Sequence, residues 1–328
     1  MARVAVVGAG VMGLATARAL ARAGCEVLVY EQFGAGHARG SSHGRSRIFR
    51  LAYPEPRWVR LAQEALAGWR ELEAETGEQL LVLNGLLEIV RDLRESSAPA
   101  LDACGVAWER LERDEVERRF PLRVPQGFFC VLQREAGIVL ADRALAGFAR
   151  GIDVHYQTRV ASLAQLDADC TVVTAGAWVN QLVDPPLAVR VTRETICYFR
   201  KADARPAPAV VSFKAQASGH QFYALADPQH GFKVGAHHSG PEVNPQAEAE
   251  PDRGIVEAIS TWAAQNLALA DPRPVEVETC LYTSTADEGF VLERRARNVV
   301  GSACSGHGFK FAPAVGARLA ALALEVLS

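Results

Sequence analysis

Disulfide staples are the first thing this sequence lacks. Its seven cysteines stand singly at 25, 104, 130, 170, 197, 280 and 304, with no Cys-x-x-Cys pair and no other metal spacing. An odd, dispersed set argues against a disulfide framework, fits a reducing compartment, and offers no metal site. A surplus of one charge is also missing. Lys plus Arg number 35 against 38 Asp plus Glu, a formal net charge of -3, which gives no support for a nucleic-acid partner. No apolar run reaches the roughly 20 residues that span a bilayer. The opening MARVAVVG runs directly into a strand without the regions of a signal peptide, and the closing EVLS is not a peroxisomal tripeptide. Those absences point to the cytoplasm. Repeats, low-complexity tracts and flexible linkers are absent too. What remains is 328 residues, 49% hydrophobic and 22% charged, enough for a large core and two domains.

The order of patterns is informative. RVAVV (3–7) reads as a buried parallel strand, VMGLATARALARA (11–23) as a helix and EVLVY (26–30) as a second strand, a βαβ unit. Residues 55–75 form a long amphipathic helix. LVLNGLLEIV (81–90) predicts two strands meeting in a hairpin at Asn84-Gly85. AGIVLADRALAGFAR (136–150) predicts a turn followed by a helix, and CTVVTAGAW (170–178) a strand that rejoins the first sheet. From 189 to 240 the character turns β, with two strands in 223–237 around an Asp-Pro…Gly turn. VEVETCLYTS (275–284) alternates cleanly, and NVVGSA (298–303) is a further strand. The pattern predicts an α/β, two-domain fold: a Rossmann-like βαβ domain with an inserted, mainly antiparallel β-sheet domain.

Four motifs carry chemistry. GAGVMG places Gly8, Gly10 and Gly13 between a strand and a helix, where glycines allow a tight turn, close approach of a pyrophosphate, and close helix–strand packing. Glu31, ending the next strand, stands where a ribose hydroxyl would be accepted, and its charge disfavours a 2′-phosphate. This is a dinucleotide fingerprint that does not choose between FAD and NAD. In GSSHGRSRIFR (40–50), a helical turn would gather His43, Arg47 and Arg50 on one side; alone, the segment also reads as a solvated basic loop. On FKVGAH (232–237), Lys233, Gly235 and His237 share a strand face with room above the glycine. On ETCLYTS, Cys280, Tyr282 and Ser284 share another, and a buried cysteine is ordinarily just a small apolar group. Lys310, in SGHGFKF, precedes a helix that Pro313 helps to start. A cation has the wrong sign for a helix N-terminus, so Lys310 implies a nearby anion.

The glycine fingerprint, SSHGRSRIFR, FKVGAH, CLYTSTADEGF and SGHGFKF occur together in the order that resembles the monomeric sarcosine oxidase and N-methyltryptophan oxidase family, D-amino-acid-oxidase-like FAD enzymes. The resemblance runs end to end and is weakest between 76 and 220. It implies an FAD-binding domain from 1–75, 137–188 and 290–328, and a substrate domain from 76–136 and 189–289. It implies a covalent flavin tether at Cys280, with Ser42, Gly306 and Gly308 also lying against the cofactor. Arg50 and Lys310 match the pair that holds a substrate carboxylate, and Tyr223, Tyr282 and His237 match residues bordering the substrate. Lys233 matches the lysine that activates dioxygen; His43 and Arg47 match polar residues near the flavin ring. The implied reaction oxidises a small secondary or N-methyl amino acid to an imine, hydrolysed afterwards, with O2 reduced to H2O2 by a monomeric enzyme. Two departures stand out: Cys304 replaces an aromatic, and the turn from Tyr223 to Lys233 is one residue shorter. The rival readings are a flavin dehydrogenase passing electrons to a quinone or protein, and a non-catalytic nucleotide-binding protein.

Overall fold

The structure, a computed structural model, describes residues 1–212, 219–248 and 250–328. The part of the β-rich stretch that falls on 213–218 lies outside the described residues.

Three sheets organise the described residues. The first has six strands in the order Val291–Arg295, Asn298–Ser302, Cys170–Val173, Arg3–Val7, Glu26–Tyr30 and Asp153–His155. Arg3–Val7 lies at its centre, paired in parallel with Glu26–Tyr30 and with Cys170–Val173. Val4, Val6, Val172 and Val173 are fully buried, as a sheet covered on both faces requires. One cover is a helix pair, Val11–Arg22 against Ala312–Leu327. Their alanines permit close approach: a Cβ on Gly316 would lie 2.7 Å from the Ala15 Cβ.

The second sheet has eight strands: Glu276–Ser284, Arg190–Arg200, Gly231–His237, Gln221–Asp227, Ala209–Val211, Leu86–Val90, Phe129–Gln133 and Glu109–Leu111. Its register sets Lys233 opposite Tyr198, Gly235 opposite Tyr223, and Cys280 opposite Glu194. The helix Arg253–Asn266 packs on one face, where Trp262 stacks on Phe222 at 5.3 Å. Lys233, Gly235 and His237 therefore face the other way, towards the first sheet. A small third sheet, Ser46–Phe49, Gly137–Leu140 and Leu81–Val82, bridges the two.

Three local expectations are corrected. Asn84-Gly85 is not a hairpin: Leu81–Val82 pairs with Gly137–Leu140, whereas Leu86–Val90 pairs with Phe129–Gln133 and Ala209–Val211. Gly85, at φ +92°, carries the chain between sheets, and the Asn84 amide donates to the Ala207 carbonyl. Residues 137–140 form a strand rather than a turn, because Ser46–Phe49 and Leu81–Val82 both pair with them. Residues 40–50 are not helical. Gly44 at φ +98° leads into the extended strand Ser46–Phe49, and pairing with Gly137–Leu140 outweighs the helical spacing.

Candidate active site

Between the first and second sheets lies a cavity of about 980 Å³. Of the residues named in the sequence motifs, all line it except Gly13, Gly235 and Ser284. Gly13 is buried in packing instead: a Cβ there would stand 1.9 Å from the Gly8 carbonyl oxygen. Gly8 is held at φ +106°, and its own Cβ would reach 2.5 Å from the Thr174 oxygen. The loop thus fits tightly between two strands and only glycine satisfies it. The first turn of the helix Val11–Arg22 opens onto the cavity, with the Val11 N–H donating to Ser42 Oγ at 3.1 Å. Glu31 accepts from the Ala9 N–H at 2.9 Å and the Phe33 N–H at 3.0 Å, one per carboxylate oxygen. Glu31 Oε2 keeps a second lone pair for a hydroxyl, while His37 Nε2 lies 3.5 Å from Oε1.

The polar loop 40–47 wraps around Arg47. Its guanidinium donates to the carbonyls of Ser46 at 2.9 Å, Ser41 at 2.8 Å, and His43. Burial, then the charges of Arg47 and Lys233, lower the His43 pKa to about 4, so this imidazole is neutral. Lys233 is 3% exposed and donates to the Ser46 carbonyl at 3.2 Å. Burial first and Arg47 second bring its pKa down to about 7, with Cys280, Glu278 and Asp227 opposing. Glu278 is itself fixed by the Tyr198 hydroxyl at 2.6 Å. The Cys280 thiol is raised to about 11 by burial, although Arg47 and Lys233 pull it down, so it is protonated at neutral pH.

At the other end, Arg50 and Lys310 flank one aromatic ring. The Arg50 guanidinium lies 4.1 Å from the Tyr53 centroid, and Lys310 Nζ lies 5.7 Å from it. Arg50 also donates to the Ala52 carbonyl at 2.8 Å. Lys310 is 2% exposed and donates to the His307 carbonyl at 2.9 Å, and no described carboxylate pairs with it. Burial, then Arg50, hold its pKa well below the ordinary lysine value. Trp69 Nε1 donates to the Lys310 carbonyl at 2.8 Å, fixing the backbone that carries this amine. The short turn Phe309–Phe311 leads into the helix Ala312–Leu327, so the wrong-sign position read from the sequence is real.

Between these ends stand Tyr223, Tyr282 and His237. Burial raises both phenols well above their usual pKa and pushes His237 well below its own. The two tyrosines and the imidazole are therefore neutral. The Gly-His-Gly turn presses on this group: a Cβ on Gly306, at φ +70°, would meet Tyr282 Cε2 at 2.2 Å and His237 Cε1 at 2.7 Å.

Sequence reasoning missed the wall around His307. Its Nε2 lies 2.9 Å from the Glu288 carbonyl, so that nitrogen carries the proton and Nδ1 accepts from the Tyr53 hydroxyl at 3.3 Å. Trp58 and Phe290 pack around the same ring, at 4.9 and 5.0 Å. Only the nearness of Tyr53 to Arg50 in the chain hinted at this cluster.

A helix N-terminus with glycines behind it, a buried acid at the end of the next strand, and a cavity lined by Arg47, Lys233, Arg50 and Lys310 fit a flavin dinucleotide. The fold and site define a flavin-dependent oxidoreductase. The family model described as FAD dependent oxidoreductase matches residues 3–322, and the chain belongs to that family. Its relatives narrow the likeness. It is 32% identical to peroxisomal sarcosine oxidase of Homo sapiens, over 98% of this chain and 92% of that protein. It is 27% identical to monomeric sarcosine oxidase of Bacillus sp. (strain B-0618), over 98% and 92% respectively. The solved structure of NikD, an unusual amino acid oxidase essential for nikkomycin biosynthesis, superposes with a TM-score of 0.86 at 28% identity, covering 99% of this chain and 95% of that one.

Proposed function

We propose that this chain is an FAD-dependent amine oxidase that takes a small secondary or N-methyl amino acid and uses O2 as electron acceptor. The observation that carries the reading is Lys310: a lysine buried beside Arg50 without a described carboxylate partner. Burying such a group is costly unless an anion completes it. A substrate carboxylate does so through charge-assisted hydrogen bonds, two of them in parallel where an arginine takes part.

A bound flavin would supply the redox chemistry, as acceptor of hydride equivalents from the carbon beside the amine and as donor of electrons to oxygen. The chain's residues do the rest. Arg50 and Lys310 anchor the carboxylate, whose charge favours the protonated form of Lys310. Neutral Tyr223, Tyr282 and His237 bracket the amine without repelling it. The wall of Tyr53, Trp58, Phe290 and His307 excludes water. Lys233, fully charged only below about pH 7, supplies positive charge where reduced oxygen forms. Cys280 lines the same cavity and is the proposed covalent tether. Further parts of this reading are a monomer and a cytoplasmic location.

The test is anaerobic mixing with a panel of secondary amino acids, followed by air. Bleaching of the flavin by at least one of them, then rapid return of colour with peroxide equal to substrate consumed, is the expected result. Fast bleaching with recovery only on adding a quinone would make the protein a dehydrogenase instead. For the tether, yellow colour should stay with acid-precipitated protein and leave it in Cys280→Ser; colour released from the unaltered chain removes Cys280 from that role.

A further inference from the structure

Two residues in left-handed backbone, neither a glycine, stand at the rim of the cavity: His238 at φ +51° and Glu288 at φ +54°. Such conformations are unfavourable for L side chains and collect at functional sites. In an extended strand, His237 and His238 would point to opposite faces. The turn at His238 folds its ring back instead, and the two imidazole centroids lie 4.2 Å apart. Buried Glu194 holds that turn by accepting from the Ser239 and Gly240 N–H groups, each at 3.0 Å. Across the rim, the His307 ring fixes the Glu288 carbonyl, and the Glu288 carboxylate comes within 3.6 Å of His238 Nε2. His238 Nε2 has no hydrogen-bond partner among the described residues. One ligand atom from each of His237, His238 and Glu288 lies within 4.8 Å of the other two.

We propose that His237, His238 and Glu288 form a binding site for a borderline divalent transition metal, zinc foremost, at the rim of the cavity. Two imidazole nitrogens and a carboxylate oxygen are a ligand set that zinc accepts, with a fourth position left open for water. Ligand atoms about 2.0–2.1 Å from a tetrahedral ion stand about 3.3 Å apart. The 3.6 Å pair is close to that already, and Glu288, 59% exposed, can close the remainder by a change of rotamer. Magnesium and calcium want more oxygens than this site holds. The nearby Arg50 charge further selects ions whose bonds to nitrogen are strong. His237 also borders the proposed place of the amine, so a bound ion blocks substrate; only this inhibitory consequence rests on the oxidase reading.

The experiment is equilibrium dialysis of the full-length, flavin-loaded protein against Zn²⁺ and, separately, Mg²⁺, with metal content and turnover read on the same samples. The unaltered chain should hold one more equivalent of zinc than Glu288→Gln or His238→Ala, and no magnesium. Each variant should lose about tenfold or more in zinc affinity, since a direct ligand weighs at least as much as a group behind one. Unchanged flavin spectra and circular dichroism show that the variants are folded. Turnover should fall as zinc binds and return with a chelator. Zinc held equally by all three chains, or by none, overturns the proposal. Variant-dependent zinc binding in a protein that oxidises no amine upholds the site and sinks the oxidase reading instead.

Discussion

Lys310 and Lys233 are both buried lysines in one cavity, yet they face different demands. Among the described residues Lys310 hydrogen-bonds to a carbonyl and meets no carboxylate, and Arg50 beside it adds to the penalty on its charged form. Carboxylate binding therefore raises its pKa from a depressed value, and binding takes up a proton. The sign follows: affinity is greatest below the free-state pKa and weakens as pH rises towards the bound-state value, by up to about tenfold per pH unit for one linked proton. A small carboxylate inhibitor, followed by its flavin difference spectrum across neutral and alkaline pH, should show this slope. In Lys310→Met both the affinity and the slope should be lost while the chain stays folded; a Lys310→Met protein with the original slope would place the proton elsewhere. Lys233 differs because the carboxylates of Glu278 and Asp227 oppose its desolvation, leaving its pKa at about 7.

Among the elements, the loop between Asn298–Ser302 and the helix Ala312–Leu327 has little tolerance for added side chains. Gly308 cannot carry a side chain, since a Cβ would lie 1.8 Å from the Ala303 oxygen. Gly306 meets the rings of Tyr282 and His237 instead, and its φ of +70° penalises any replacement. Gly306→Ala should displace those rings, raising KM for the amino acid about tenfold or more, in line with the cost of misplacing a substrate-positioning group. Flavin content should fall less than KM rises, because Gly8, Gly10 and Glu31, on other elements, still hold the dinucleotide. Steady-state kinetics and the flavin absorbance ratio separate the two effects; loss of flavin with unchanged KM would contradict this assignment. The strand Gly231–His237 is equally exacting, because Gly235 leaves space that the Tyr223 hydroxyl fills.

At the scale of the whole molecule, the cavity exists because two sheets, each with its own helical cover, face one another across it. No helix among the described residues is long and apolar enough to cross a membrane. The large apolar side chains left exposed, Met1, Leu83, Tyr156, Val275 and Leu324, are far apart in the chain. A single-copy enzyme is part of the proposed reading. Light scattering should give a mass near 35.4 kDa plus one flavin; a stable species of twice that mass would contradict it.

Periodicity and glycine spacing determined the βαβ start, the fingerprint at Gly8, Gly10 and Gly13, the late return of Cys170–Val173, and the strand faces carrying Lys233 and Cys280. These are local properties, written in patterns of two and 3.6 residues. Only the tertiary structure decided where Leu81–Val82 and Leu86–Val90 go, because sheet pairing is a choice among distant partners that an Asn-Gly signal does not see. Only it gathered Tyr53, Trp58, Phe290 and His307 into one wall, and only it folded His238 back onto His237. Nor could the sequence say whether Lys310 has a partner: that depends on what lies within a few ångströms of its nitrogen, and its neighbours there, Arg50 and Tyr53, come from the far end of the chain.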